Sequence, residues 1–360
     1  NTFVGGKAGE GGTTSAPFSS GESNTAVGYN ALAGFTTGGD NTVIGRNSGQ
    51  AITSGARNVI VGKQAGAALT TGTNNVLLGV SAMSSADGLE RENIVIGYAA
   101  GGGLNNDSVI RNVFIGEYAG YGGTGALNYS VAIGYRALDA TGDSGDAAGA
   151  VAIGYQALTA NYDGQYNTAI GFNALGANKR NDHNTAVGYR ALTAMSASSA
   201  GTTGNTAVGS WCGDSVTTGA SNTLLGFYAG QAITTGNYNN MIGSQAGYQT
   251  NTGGYNVMIG MESGYYNNAG SFNVVMGHKA GQYMTGSNNT YLGFEAGKGS
   301  QTSAPYSSAG DNVAVGQYAL TDITSGGTNV AIGNRALYRN NIGSNSVAVG
   351  YGAQSWSVYD

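Results

Sequence analysis

The apolar residues of this chain arrive in packets of two or three, each closed by a glycine. Asn24-Thr25-Ala26-Val27-Gly28 returns as Asn41-Thr42-Val43-Ile44-Gly45 and as Asn58-Val59-Ile60-Val61-Gly62. Twenty such packets run from Gly5 to Gly350. Eleven of the nineteen intervals between closing glycines are 17 residues long, and the others range from 16 to 23. With that glycine as position zero, position −4 is Asn in 17 repeats, the exceptions being Ser130, Ala150 and Ser346. Positions −2 and −1 are apolar in all twenty. Position +3 is Ala in 17, Ser in two (Ser48 and Ser263) and Cys once, at Cys212.

Thr, Val and Ile dominate −3 to −1, which predicts a very short strand. The closing glycine suits a corner that needs positive φ or close backbone approach. A second short strand is expected over +1 to +4, and turn formers such as Thr36-Thr37-Gly38-Gly39-Asp40 bring the chain back. Seventeen residues going out and returning, then repeating, describe one turn of a parallel β-solenoid. The expected fold is therefore all-β, with about twenty coils of modal length 17 in one continuous domain over 1–360. At about 4.8 Å per coil, that is a rod on the order of 95 Å long.

Three patterns refine the expectation. The Asn at −4 either stacks into an amide ladder along the axis or suits a turn conformation. Position +4 is Leu in seven repeats, and in all seven −2 is Ala. It is Gly in eleven, and in ten of those −2 is large, from Val43 to Phe114 and Tyr291. Small opposite large is the mark of two side chains filling one fixed volume, across the coil or across a chain interface. Finally, −2 and −1 are both apolar although neighbouring strand residues point to opposite faces. One face lines the coil, and the other calls for self-association, expected here as a homotrimer.

Composition narrows the class. The 65 glycines rule out a helical protein, and two prolines without a Gly-X-Y period rule out collagen. With 41% hydrophobic residues and a net charge of −5, disorder is not expected. A single Cys forms no intrachain disulfide. The mild negative charge argues against nucleic acid as partner, and apolar runs of a few residues do not span a membrane. Asn1-Thr2-Phe3-Val4-Gly5 carries no basic or apolar leader pattern, so a mature chain or a fragment is expected, here read as a piece of a longer fibre.

The run Ser130-Val131-Ala132-Ile133-Gly134-Tyr135-Arg136-Ala137 resembles the YadA-like head repeats of trimeric autotransporter adhesins. The variant Asn-Thr-Ala-[Val/Ile]-Gly-[Tyr/Phe]-x-Ala-Leu at 167–175 and 184–192 resembles repeats of bacteriophage tail fibres even more closely. The likeness covers essentially the whole chain. It implies a left-handed parallel β-roll with three chains to a rod.

No constellation for catalysis stands out, and the chain is expected to be neither an enzyme nor a cofactor binder. His183 lies in a return loop and His278 at a +1 position, while Cys212 takes the place of a small core residue. Gly120-x-Gly122-x-x-Gly125 matches a dinucleotide fingerprint without the strand-helix context that gives the motif its geometry. Asp139, Asp143 and Asp146 share one longer loop and form a weak candidate for Ca²⁺. Tyr or Phe stands at +1 in nine repeats, either packing against a neighbouring chain or stacking on sugars. The two 23-residue intervals contain near copies with the only prolines, and Pro17, Phe18, Pro305 and Tyr306 are the binding candidates there. The expected function is structural: an extracellular fibre shaft, foremost a phage tail fibre of the virion, attaching to a host-surface glycan or protein receptor. The alternative is a bacterial surface adhesin for matrix or glycans. More remote is a solenoid polysaccharide depolymerase, which needs two carboxylates roughly 5–10 Å apart.

Overall fold

The computed structural model describes the chain except for residues 13–18, 106–108, 124, 126, 141, 143–146, 197–200, 301–306 and 356–360. Two compact units are present, Asn1–His183 with Ala197–Gly201, and Asn184–Ser196 with Thr202–Asp360. Among the described residues there is no helix.

Each unit is a parallel β-solenoid. In the first, ten three-residue strands run from Thr2–Val4 to Thr168–Ile170. In the second, ten run from Thr185–Val187 to Val347–Val349. Each strand pairs in parallel with the next one in its unit, −3 with −3, −2 with −2 and −1 with −1, as in Thr25↔Thr42, Ala26↔Val43 and Val27↔Ile44. Nine such steps in each unit give about eighteen turns for about twenty repeats. The −2 residue points into the coil and is buried, apart from half-buried Phe3 at the first strand, whereas −3 and −1 are never buried.

The strand ends after three residues because position zero has φ between 124° and 143°, a region that side chains disfavour. A Cβ on Gly45 would stand 2.5 Å from the Gly62 carbonyl oxygen, and one on Gly226 would stand 2.5 Å from that of Gly243. The closing glycines stack directly on one another, so both reasons for glycine apply at once.

The second strand expected over +1 to +4 does not form; these residues make a tight turn. Left-handed backbone recurs at −5, +2 and +4, and most of the residues that adopt it are not glycine: Asp40 (φ 59°), Asn30 (φ 59°) and Leu32 (φ 51°) are one set. Such a conformation costs a non-glycine residue roughly 1 kcal/mol or more. Hydrogen bonds between coils offset that cost. The Asn30 amide donates to Gly6 O at 2.9 Å, Asp40 to Glu22 O at 2.9 Å and Leu32 to Ser48 O at 3.1 Å.

Inside the coil, +4 shares one space with the −2 side chain of its own repeat and, in several coils, with that of the next, as where a Cβ on Gly66 would stand 3.0 Å from Leu77 Cδ1 and 3.2 Å from Ile60 Cδ1. A Cβ on Gly120 would stand 2.6 Å from the Phe114 ring, and one on Gly264 would stand 2.9 Å from Met258 Cε. Ala207 with Gly213, the one repeat small at both positions, is filled by its neighbours. A Cβ on Gly213 would stand 2.7 Å from Leu224 Cδ1 and 2.9 Å from Leu192 Cδ2. A further inner row lies at +7, where Phe35, Ile52, Leu69, Val216 and Ile233 are buried alongside Asn161 and Asn178.

The asparagines at −4 form ladders. Asn239 is fully buried. Its Nδ2 donates to Asn222 Oδ1 at 3.1 Å and to Gly253 O at 3.0 Å. Its Oδ1 accepts both the backbone N–H of Asn256 at 3.2 Å and that residue's Nδ2 at 3.0 Å. Each amide is thus satisfied on both sides, which a buried polar group requires. In the first unit the ladder reaches Ser130, whose Oγ accepts the Ala150 amide at 3.2 Å. In the second it runs from Asn184 to Asn329 and ends where the Ser346 amide donates to Asn329 Oδ1.

Candidate functional site

The residues that the sequence put forward as sites divide sharply. Pro17, Phe18, Pro305 and Tyr306 lie outside the described residues, as do Asp143 and Asp146. Asp139 is half-buried, with Arg136 Nε 3.6 Å from its Oδ2. Burial raises its carboxyl above the ordinary range, and the Arg136 charge opposes that rise only in part. Among the described residues no group of three metal-ligating side chains assembles.

Cys212 is fully buried in the +3 row. Burial pushes its thiol up to about 12, the condition of a structural rather than a reactive cysteine. His183 packs on Tyr166 with ring centroids 5.2 Å apart, and His278 on Phe294 at 5.3 Å. Each histidine serves as a ring in an aromatic pair.

Two surfaces repeat along the coils. The first follows the outer face of the strands. Position −1 carries aliphatic side chains such as Ile44 and Leu225 (39% and 46% exposed), and position +1 carries exposed rings such as Tyr155 and Phe227. The rings pair from coil to coil. Tyr135 stacks on Tyr155 at 5.2 Å, and Tyr155 on Phe172 at 5.0 Å with 6° between their planes. Val59, Ile94 and Val274 at −3 extend this apolar stripe.

The second surface lies on the return arm of the second unit and was not anticipated from the sequence. An open trough of about 670 Å³ runs over five consecutive coils, from Ser215 to Thr285. Tyr248 and Tyr266 line it, together with Thr234, Gln249, Asn251 and Asn268. Thr234 Oγ1 donates to Asn251 Oδ1, joining adjacent coils. Tyr265 stacks on Tyr248 at 4.8 Å, and Tyr283 stacks on Tyr266 at 5.2 Å. Neither of those two supporting rings lines the trough. No charged side chain contributes to the lining among the described residues. The available signal was four tyrosines at +5 and +6 in three successive repeats, Tyr248, Tyr265, Tyr266 and Tyr283.

Among the described residues no helix is long and apolar enough to cross a membrane. No protein-family model matches this chain, and no curated protein sequence matches it either.

Proposed function

We propose that this chain is the shaft of a homotrimeric extracellular fibre, built as a left-handed β-roll, whose task is to hold an attachment surface at a distance. The phage tail fibre is the closest reading, by the resemblance of its repeats. The observation that carries the proposal is the apolar stripe at −3, −1 and +1. In a lone chain, Ile44 and Leu225 at −1 stand 39% and 46% exposed and Ile94 at −3 stands 42% exposed; −1 is apolar in every repeat, and −3 and +1 extend it in a little over half of them. Contiguous exposed apolar surface of this kind marks an interaction site.

A second copy of the chain is the natural occupant. A stripe that repeats with the coil is met in register by another stripe with the same repeat, and closed symmetry then satisfies every copy alike. The mechanism is mechanical. Ladders of buried amides and stacked glycines fix each coil to the next, so bending requires breaking hydrogen bonds at many coils together. No catalytic group takes part in this reading.

The test is a pair of charges placed on the stripe, Ile153→Glu with Ile170→Glu. Both residues face outward, so the solenoid fold is expected to persist by circular dichroism while the assembly dissociates to single chains. An assembly that keeps its mass with both charges in place overturns the stripe as the interface.

A further inference from the structure

We infer that the trough between Ser215 and Thr285 is a binding site for a neutral, linear oligosaccharide. The site goes beyond the shaft reading and occupies a different part of the coil. It is built from +5 to +8 on the return arm, whereas the stripe uses −3, −1 and +1, so the two can be engaged together.

Four observations carry the inference. First, a trough of about 670 Å³ has the capacity of a small-ligand site, and it is bordered by rings and by a few polar groups that can fix orientation. Second, Tyr248 and Tyr266 are held in place by Tyr265 and Tyr283 stacked on them. Rings fixed in advance lose little freedom on binding, and a Tyr offers both an apolar face for sugar C–H groups and a hydroxyl. Third, the polar lining consists of carboxamides and hydroxyls, with Gln249 and Asn268 exposed at the surface. These groups both donate and accept, as sugar hydroxyls do. Fourth, no charge lines the trough among the described residues, so nothing there selects a uronate, a sulfated chain or a phosphate backbone.

The repeat also matches the ligand. Successive coils add lining groups at about 4.8 Å spacing, Tyr248 at +5 of one coil and Tyr266 at +6 of the next, with Asn251 and Asn268 at +8, and the trough is on the order of 20 Å long. An extended chain of pyranose units has a period of the same order, so consecutive sugars would meet a ring and a carboxamide from each of the two central coils and a hydroxyl or amide from the flanking ones. A proline-rich peptide is the competing occupant of an aromatic trough, but such peptides use apolar slots between rings. Here the positions beside the rings are Gln249, Asn251 and Asn268.

The test titrates the full chain with four soluble neutral hexasaccharides, those of β-1,4-glucose, α-1,4-glucose, β-1,4-xylose and β-1,4-mannose, by calorimetry. A decaproline peptide and a hexamer of galacturonate serve as comparators. The expected result is saturable binding of at least one neutral hexasaccharide, with a Kd of about 1 mM or tighter. Tyr248→Ala and Tyr266→Ala should each weaken it by about tenfold, consistent with roughly 1–3 kcal/mol for a stacked ring. Tyr135→Ala, on the stripe of the first unit, should leave it unchanged. Circular dichroism of each variant separates loss of the site from loss of the fold, and Tyr266→Phe retains the ring while removing only the hydroxyl. No neutral binding up to about 10 mM, binding that survives both Tyr→Ala changes, or preference for decaproline or galacturonate would each overturn the assignment. The trimer proposal is read from mass, so failure here leaves it standing, and failure there leaves this result intact.

Discussion

Converting one coil type into the other tests the packing rule directly. Met258 and Gly264 form a close pair: the atoms nearest to a Cβ on Gly264 would all belong to Met258, with Cε at 2.9 Å and Cγ at 3.2 Å, while the Met258 sulfur also stands 3.1 Å from where a Cβ on Gly247 would lie. Met258→Ala empties that space and should cost about 2–5 kcal/mol. Gly264→Leu forces a side chain into a filled space, at about 1–3 kcal/mol. It also places a non-glycine residue at φ 56°, for roughly 1 kcal/mol more. The two changes together recreate the Ala–Leu coil found at Ala152 and Leu158, both fully buried, with Leu158 at φ 53°. Only the backbone cost should then remain, about 1 kcal/mol. Long repeat arrays do not unfold in two states, so the assay is hydrogen exchange at local amides. Suitable reporters are Gly264, which donates to Ala280 O at 2.9 Å, and Gly247, which donates to Ser263 O at 2.9 Å. Each single change should accelerate their exchange strongly, and the double change should restore it to within about tenfold of the original. Additive losses, with a coupling below about 0.5 kcal/mol, would refute the shared-space account.

Two further outcomes follow from the interior. Asn239→Ala removes four side-chain hydrogen bonds. It leaves buried groups on Asn256 and Gly253 unpaired, so it should destabilise that region by about 3–6 kcal/mol. Asn239→Ser keeps an acceptor, as Ser130 does for the Ala150 amide, and should cost clearly less in the same exchange measurement. Cys212 should resist alkylation at pH 8 until the chain unfolds. Because its folded pKa is raised to about 12 by burial, the unfolded chain loses this proton first and binds fewer protons through that range. Stability should then fall as pH rises, by up to about 1.4 kcal/mol per pH unit between about 9 and 12. A pH titration of Cys212→Ala, which lacks the group, should be flatter there by that amount.

The features legible in the sequence are those where one physical demand recurs with one chemistry. The closing glycine is required by a backbone region at every coil and by a close approach to the next closing glycine, 2.5 Å between Gly45 and Gly62 and closer still between Gly62 and Gly79. The Asn at −4 needs an identical partner above and below, so a ladder repeats its letter. The pairing of −2 with +4 was visible because two sizes trade within one volume. Other features lacked a constant letter. The turn over +1 to +4 uses left-handed residues as different as Tyr118 and Arg136 at +2, and at +4 Gly trades with Leu, as at Leu138, so the glycine there read as a packing choice and a strand was expected instead. The inner row at +7 alternates Ile52 and Leu69 with Asn161 and Asn178, since the coil interior there accepts either an apolar side chain or a locally bonded amide. The trough escaped notice because its rings divide between two adjacent positions, Tyr248 at +5 and Tyr266 at +6.

The outer face remains the link between fold and function. The apolar row at −1, extended at −3 where that residue is Val or Ile, contributes little to the coil that carries it, because the side chains inside the coil come from −2, +3, +4 and +7. Its recurrence therefore points to a demand from outside the single chain. Native mass measurement of the intact chain over a range of dilution tests this most directly. A mass three times that of one chain, persisting at low concentration, is the predicted result. A single-chain mass at all concentrations would contradict the shaft proposal at its root, leaving a solenoid with an uncovered apolar face.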